Sequence, residues 1–443
     1  MSRHTCDWIF NTLVVLCDGK VVCGCADPEG LRPLGHLSVS GLKDIWGSEK
    51  VKRIRRDLND GFSGFCGPCG LKRPLNENDP APQQPVEQEV LPRIFFEPTV
   101  VCNLDCFKAV CAPGAKLVAT RERKMFPLDE FKAMLAEVGP QLVRLDFFNY
   151  GEPFLHPQAL EMVEHVKQTY PQIYLYTSTN GLLFDEEKIA RLARSGIDEV
   201  TFSVDGPDQR TYERYRRGGD FAKVVRNMKA LADEKRRLGR EVPYINWRYI
   251  LFKWNDSFWQ MARAKRLAAR IGVDRLTWEI TDHPREAVSK KYQVGTRAWK
   301  RIYYQIWDTG QIANALRGRR FIARIAPGLK KVAARSGQKR LLEPRVKNVG
   351  GAPWITETFS GRRWVRLGAQ LYDRHRELLD LNFARAFLPR PLNKGESAVI
   401  PIELPALERA GEYWLKLDMV CEGIHWFEPN GSPVVWLPFT VSE

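Results

Sequence analysis

The chain has 443 residues, enough for two to four domains with cores of their own. Hydrophobic residues make up 44% and charged residues 27%, and no apolar run approaches the length of a membrane span, which excludes a transmembrane helix. The net charge of +15 is concentrated in one segment with no recognition motif beside it, which argues against specific nucleic-acid binding.

Residues 1–75 form the first unit. The apolar stretch near its start is flanked by cysteines and lacks a small-residue cleavage site, so it is not read as a signal peptide. Cys6, Cys17, Cys23, Cys25, Cys66 and Cys69 lie here. Their order is a lone cysteine, a turn at Asp18-Gly19, a short strand, the pair Cys23-Gly24-Cys25 and a distal Cys66-x2-Cys69. Between them LKDIWGSEKVKRIRRDL carries apolar residues at helical spacing. Thiolates in this grouping suit zinc and iron–sulfur clusters alike, and a reducing cytoplasm fits them better than disulfides would. Residues 76–91, rich in proline and polar side chains, read as a linker.

From 92 to 290 strand-like and helix-like segments alternate. IFFEPTVV, LVRLDFFN, IYLYTSTN, EVTFSVDG, YINWRYILF and DRLTWEIT read as strands, with amphipathic helical stretches between them. That pattern predicts a parallel sheet. Chemistry-bearing residues fall at the C-terminal ends of these strands, where such folds place their sites. Cys102, Cys106 and Cys111 follow the first, and Gly151-Glu152-Pro153 follows the second. Thr179-Asn180-Gly181 follows the third, and Ser203-Val204-Asp205-Gly206 the fourth. Three thiolates on a four-iron cube would leave one iron open. Glycines allow close backbone approach to a ligand, and the short polar side chains suit a ribose and an amino-acid head group. His156 reads as a loop residue packed at the rim. Trp247, Tyr249, Trp254 and Trp278 read as core more readily than as a substrate platform.

Residues 291–350 carry the charge. Between 297 and 347 there are 14 Lys or Arg against Asp308 and Glu343. Read as mostly helical, this is either a solvated connector or a docking surface for an anionic carrier or membrane. Residues 351–443 hold short, partly alternating strands separated by turns such as Asn393-Lys394-Gly395, the pattern of a β-sandwich.

The three-cysteine loop followed by Gly-Glu-Pro resembles the radical S-adenosylmethionine (SAM) superfamily, although the spacing Cys-x3-Cys-x4-Cys is two residues wider than that family's. The resemblance implies a partial (β/α)6 barrel of the TIM type. It also implies a 4Fe–4S cluster on Cys102, Cys106 and Cys111, and SAM cleaved to a 5′-deoxyadenosyl radical. It assigns Gly151, Glu152, Pro153, Asn180, Ser203 and Asp205 to SAM, with Arg217 on the SAM carboxylate and Arg214 or Arg216 as alternatives. The N-terminal unit resembles the SPASM module. That implies an auxiliary 4Fe–4S cluster on Cys6, Cys66, Cys69 and one of Cys23 and Cys25. The C-terminal strands resemble immunoglobulin-like domains of surface-glycan clusters. The expectation is a cytoplasmic enzyme, with peripheral contact to the inner membrane face through the basic segment. Its substrate would be a small molecule, a glycan intermediate or, alternatively, a peptide, and its reductant a flavodoxin or ferredoxin. A scaffold that has lost SAM cleavage is the non-enzymatic alternative.

Overall fold

The computed structural model describes residues 4–6, 8–24, 27–61, 64–67, 69, 73–74, 86–109, 117–240, 242–293, 296–302, 321–350, 354, 365–421, 425–428 and 431–443. They fall into two compact units, residues 1–308 and 309–443.

The first unit is organised on one nine-stranded sheet among the described residues. Its strands are β1 (Thr12–Val15), β2 (Lys20–Val22), β3 (Gly35–His36), β4 (Arg93–Phe96), β5 (Arg144–Phe147), β6 (Tyr174–Thr179), β7 (Glu199–Ser203), β8 (Tyr244–Leu251) and β9 (Arg275–Ile280). Strands β4 to β9 run parallel in sequential order, as the strand–helix alternation predicts. Their connecting helices are capped in the expected way. Asp185 and Asp220 accept from helix N-terminal amides, and Ser257 with Gln260 forms a capping box.

The N-terminal cysteine-rich segment is not a separate body. Strand β1 lies parallel to β4, with Thr12 opposite Arg93 and Val15 opposite Phe96, and the β1–β2–β3 meander continues the sheet past β4. These strands are two to four residues long, too short for a periodicity signal.

The two faces of the sheet differ. Leu13, Val15, Ile94, Phe96, Leu145, Leu175, Val200, Phe202, Trp247, Tyr249 and Trp278 join the helices in one apolar core. The alternate residues form a buried polar network at the N-terminal ends of the strands. Asp146 accepts from Arg93 (2.6 Å) and Arg144 (2.9 Å), and Tyr174 donates to Glu199 (2.8 Å). Asn246 links Thr201 and Thr277. Burial alone would raise the Asp146 carboxyl, but the two guanidiniums hold it below the usual carboxylate range. The charges are paired, with Arg144 Nη1 left buried without a hydrogen-bond partner, so the network closes this end of the inner face at tolerable cost.

The second unit is rich in strands. One sheet runs Val332–Arg335, Val435–Ser442, Gly411–Cys421, Val365–Asp373, Leu378–Phe387, with His425–Trp426 added at Gly411–Cys421. Ala323–Ala326, Arg345–Asn348 and Ser397–Val399 form a second, and Arg340–Leu342 with Ile402–Leu404 a third.

This corrects the helical reading of the basic segment. Arg297–Ile302 is a helix, but residues 321–350 form strands in which buried and exposed positions alternate. Arg324, Arg335, Arg345 and Lys347 occupy the exposed positions, so their charge belongs to the solvent side of strands. Arg317, Arg319 and Arg320 lie outside the described residues. Among the described residues no helix is long and apolar enough to cross a membrane.

Candidate functional site

Cys6, Cys23, Cys66 and Cys69 line one pocket of about 460 Å³ with its open mouth included, together with Trp8 and Arg32. Cys23 follows directly on β2 and is on the pocket wall; Cys25 lies outside the described residues. Burial pushes the Cys23 thiol up, and the neighbouring Cys6, Cys66 and Cys69 add to that push. Four sulfurs held this close require a cation if they are to ionise together. Among the described residues, no three His, Cys, Asp or Glu side chains close on a single ion. The four cysteines line a cavity, an arrangement that suits a multi-iron cluster. Cys17 stands apart: its Sγ donates to the Arg123 carbonyl at 3.3 Å.

The second cysteine loop leaves the C-terminal end of β4. Cys102 is half-buried and Cys106 buried; Cys111 lies outside the described residues. The base of the loop is tied like a hairpin. Val100 N–H donates to the Lys124 carbonyl (3.2 Å), Phe126 N–H to the Pro98 carbonyl (2.9 Å), and the Thr99 hydroxyl to the Lys124 carbonyl (2.8 Å). Its far side is clasped by the segment after the fourth strand, where Asp105 N–H donates to the Arg217 carbonyl (3.3 Å) and Phe107 N–H to the Tyr215 carbonyl (2.7 Å).

Gly151 explains itself by contact. A Cβ there would sit 2.1 Å from the Thr99 carbonyl oxygen, so only glycine lets the loop after β5 lie against the start of the cysteine loop. The next residue reinforces that contact, with Glu152 N–H donating to the Val101 carbonyl at 2.9 Å. The Glu152 side chain turns the other way. It accepts from the Thr179 hydroxyl (2.7 Å), from Asn180 N–H (2.7 Å) and from Phe154 N–H (3.4 Å). Burial pushes its carboxyl up to about 7, against these donors, which favour the charged form. Glu152 therefore positions the Thr179–Gly181 turn, where Gly181 adopts φ +76°. From that turn Asn180 reaches back to the cysteine loop and donates to Asn103 Oδ1 at 2.8 Å.

Ser203 and Asp205 end the fourth parallel strand. Ser203 Oγ lies 3.1 Å from Ser178 Oγ and accepts from Arg248 Nη2 at 2.9 Å. Asp205 is fully buried and accepts from Ile250 N–H (2.7 Å) and from Arg216 Nε (2.6 Å). Arg216 Nη1 in turn reaches Cys106 Sγ at 3.7 Å. Burial works against the Arg216 charge, but Asp205 and Cys106 outweigh it and hold the guanidinium protonated.

Arg216, rather than Arg217, is the arginine turned inward. Arg217 is exposed, with its guanidinium 4.7 Å from the centre of the Phe107 ring, and Arg214 lies 4.9 Å from the Trp254 ring. The motif alone does not separate three arginines within four residues of an irregular turn. His156 is spoken for on both nitrogens: Nδ1 accepts from Gln158 N–H (3.1 Å), so Nε2 donates to the Phe126 carbonyl (2.9 Å). Trp247, Tyr249 and Trp278 are buried in the core. Trp254 stacks on Phe252.

Two residues that the sequence reading left unassigned complete the inner face. Arg248 on β8 and Glu279 on β9 form a 3.3 Å ion pair beside Ser203. Their place follows from strand parity, because the intervening Trp247, Tyr249 and Trp278 belong to the opposite face. Burial raises the Glu279 carboxyl, partly offset by Arg248. Arg248 Nε and Glu279 Oε2 face each other in this ion pair, whereas Asn149 Nδ2 is buried without a hydrogen-bond partner. Buried polar atoms seldom stay unmatched, and this one stands just beyond the C-terminal end of β5, where a polar ligand would match it.

Residues 96–243 match the family model of the radical SAM superfamily, and residues 6–70 match the SPASM iron–sulfur cluster-binding domain. These domains imply 4Fe–4S clusters and SAM, and the two cysteine groups and the polar strand ends fit them. A cofactor-modifying protein for tungsten-containing aldehyde ferredoxin oxidoreductase from Pyrococcus furiosus is 30% identical over 187 residues, 41% of this chain and 49% of its own length. A GTP 3′,8-cyclase from Chlorobaculum tepidum is 30% identical over 133 residues, 30% of this chain and 38% of its own. A mycofactocin maturase from Mycobacterium ulcerans is 29% identical over 143 residues, 31% of this chain and 36% of its own. The chain thus spans half or less of the length of these curated relatives. Among solved structures, Streptococcus suis SuiB with bound S-adenosylmethionine aligns with a TM-score of 0.38 and 14% identity, over 57% of this chain and 58% of that one.

Proposed function

Because the chain carries a radical SAM domain preceded by a SPASM domain, we propose that it is an enzyme that abstracts hydrogen from an unactivated carbon of a peptide. Cys102, Cys106 and Cys111 would hold the cluster that binds SAM; Cys6, Cys23, Cys66 and Cys69 would hold the auxiliary cluster. When bound, the first cluster and SAM supply reductive cleavage to a 5′-deoxyadenosyl radical, and the protein positions and shields that chemistry.

The observation that carries this reading is convergence. The Cys102–Cys106 loop, Glu152, Asn180, Ser203 and Asp205 stand at the C-terminal ends of four successive parallel strands, joined by hydrogen bonds from Asn180 to Asn103 and from Arg216 to Asp205. In this reading Arg216 supplies the positive charge for a carboxylate and Ser203 holds a hydroxyl group. Arg248 and Glu279 present a donor and an acceptor to the substrate, and the network around Asp146 and Glu199 closes the opposite strand ends to water.

Peptide is favoured over sugar by the SPASM domain and by the similarity to a maturase. The glycan reading rested on the C-terminal strands, and no finding supports it. A flavodoxin or ferredoxin is the proposed reductant. The test offers reduced, reconstituted protein and SAM either a library of deuterated peptides or deuterated hexoses. Deuterium in 5′-deoxyadenosine from the peptides alone is expected. Transfer from the hexoses alone would contradict the peptide assignment.

A further inference from the structure

Arg55 lies on the helix Glu49–Asn59 with its side chain wholly buried. Its guanidinium packs against Trp46, 4.0 Å from the ring centre. Nε donates to the Ile9 carbonyl (3.1 Å) and Nη1 to the Val86 carbonyl (3.0 Å), while Nη2 is buried with no partner. An unmatched buried N–H is costly, and a buried cation without a counter-charge costs more. Glu87, one acid within electrostatic reach, is exposed and engaged by Lys52 at 2.9 Å. The other group within reach is Cys23. Ile9, whose carbonyl Arg55 holds, lines the same pocket as Cys23.

A second arginine approaches Cys23 from the pocket itself. Arg32 lines the pocket and bears on Cys23. Its Nη1 donates to the Phe65 carbonyl at 2.9 Å, with the guanidinium 5.3 Å from the Phe65 ring centre. Asp27 is the acid on the pocket wall, and its carboxylate is taken up by Leu31 N–H (3.0 Å) and Arg32 N–H (2.8 Å).

We infer that Arg55 and Arg32 are positioning residues for the auxiliary cluster, holding it at Cys23 and raising its reduction potential. The inference rests on the reading of the four-cysteine pocket as a cluster site. A four-thiolate cluster is anionic in both redox states and more so when reduced, so fixed cations behind one ligand favour the reduced form. The buried Arg55 charge has no close carboxylate among the described residues, and an anionic cluster on Cys23 would supply the counter-charge that neutral thiols do not.

The experiment uses the full chain carrying Cys102→Ala, Cys106→Ala and Cys111→Ala, so that only the auxiliary cluster is present. Its midpoint is read by redox titration with electron paramagnetic resonance. Arg55→Met is expected to lower the reduced-to-oxidised ratio at fixed potential about tenfold, a shift of about 59 mV for one electron. Arg55→Lys should recover most of that shift, because it keeps the charge. Arg32→Gln should shift the midpoint in the same direction and by less, being partly exposed. An unmoved midpoint in loaded Arg55→Met and Arg32→Gln overturns the inference. Should Arg55→Met fail to fold or load, an unmoved Arg32→Gln midpoint overturns it alone. Absence of any cluster in the parent chain would instead sink the cluster reading of the pocket.

Discussion

Glu97 and Arg121 meet across the base of the cysteine loop, Oε1 to Nε at 2.8 Å, with both side chains closed off from solvent. Cys17 N–H donates to the same Glu97 oxygen at 3.1 Å, and Arg121 Nη2 donates to the Pro28 carbonyl at 2.8 Å. One ion pair therefore ties the N-terminal cysteine-rich segment, the end of β4 and the return arm of the loop. Removing one partner of a buried pair costs about 3–5 kcal/mol, because the other charge stays buried. Glu97→Ala should lower the melting temperature by roughly 6–20 °C at about 2–4 °C per kcal/mol, and both cysteine groups should lose iron in the same transition. A wild-type melting curve, or sequential loss of the two clusters, would contradict the single-knot picture.

Gly151→Ala would place a methyl group against the Thr99 carbonyl oxygen. Backbone cannot swing aside as a side chain can, so the loops after β4 and β5 must part. The variant should keep the auxiliary iron, lose the iron of the Cys102 loop and lose SAM cleavage. Iron assay after gel filtration checks this, and full iron with full cleavage would count against the contact.

Arg216 and Arg217 make opposite predictions about SAM affinity. A charge-assisted hydrogen bond is worth about 1.5–3 kcal/mol, so Arg216→Ala should weaken SAM binding by about tenfold or more. Arg217→Ala removes an exposed stacking contact and should change it by no more than about twofold. Equilibrium binding of SAM to the reconstituted, unreduced protein distinguishes them. The reverse order would restore the assignment drawn from the motif.

Glu152 makes stability depend on pH. Its carboxyl is raised from 4.5 to about 7 by burial, so the folded chain keeps the proton longer than the unfolded chain. Its contribution is fully present below about pH 4.5 and falls as pH rises toward 7, by about 3 kcal/mol at about 1.4 per pH unit. Denaturant titrations between those limits should show wild-type stability declining relative to Glu152→Gln, whatever the absolute cost of the substitution. Parallel curves would mean that Glu152 is ionised throughout.

The six strand–helix units are legible in the sequence because their helix-facing positions carry large apolar residues at both periods. The inner face is not. In RLTWEI and YINWRYIL the charged residues alternate with aromatics, a pattern that fits a strand with one solvated face as well as one lining a polar interior. The basic segment misleads for a related reason. Arg and Lys dominate its composition, yet ARIA, VAAR and RVKN alternate with period two, and strand pairing decides the outcome: ARIA pairs with RVKN, Ala323 opposite Asn348, and VAAR with the far C-terminal strand, Val332 opposite Phe439. The site motifs were readable at their glycines and cysteines. The partners that orient them, Asn103 for Asn180 and Arg216 for Asp205, come from other loops and carry no local signal.

In the proposed enzyme the Cys102 loop and the N-terminal pocket hold separate clusters, and the first supports SAM cleavage. The direct measurement is iron content and 5′-deoxyadenosine formation in the reconstituted, chemically reduced chain, beside the Cys102→Ala, Cys106→Ala, Cys111→Ala variant. The wild type should carry on the order of eight irons, two four-iron units, and release 5′-deoxyadenosine. The variant should keep about half the iron and release none. Unchanged iron and continued 5′-deoxyadenosine release in the variant would contradict the claim.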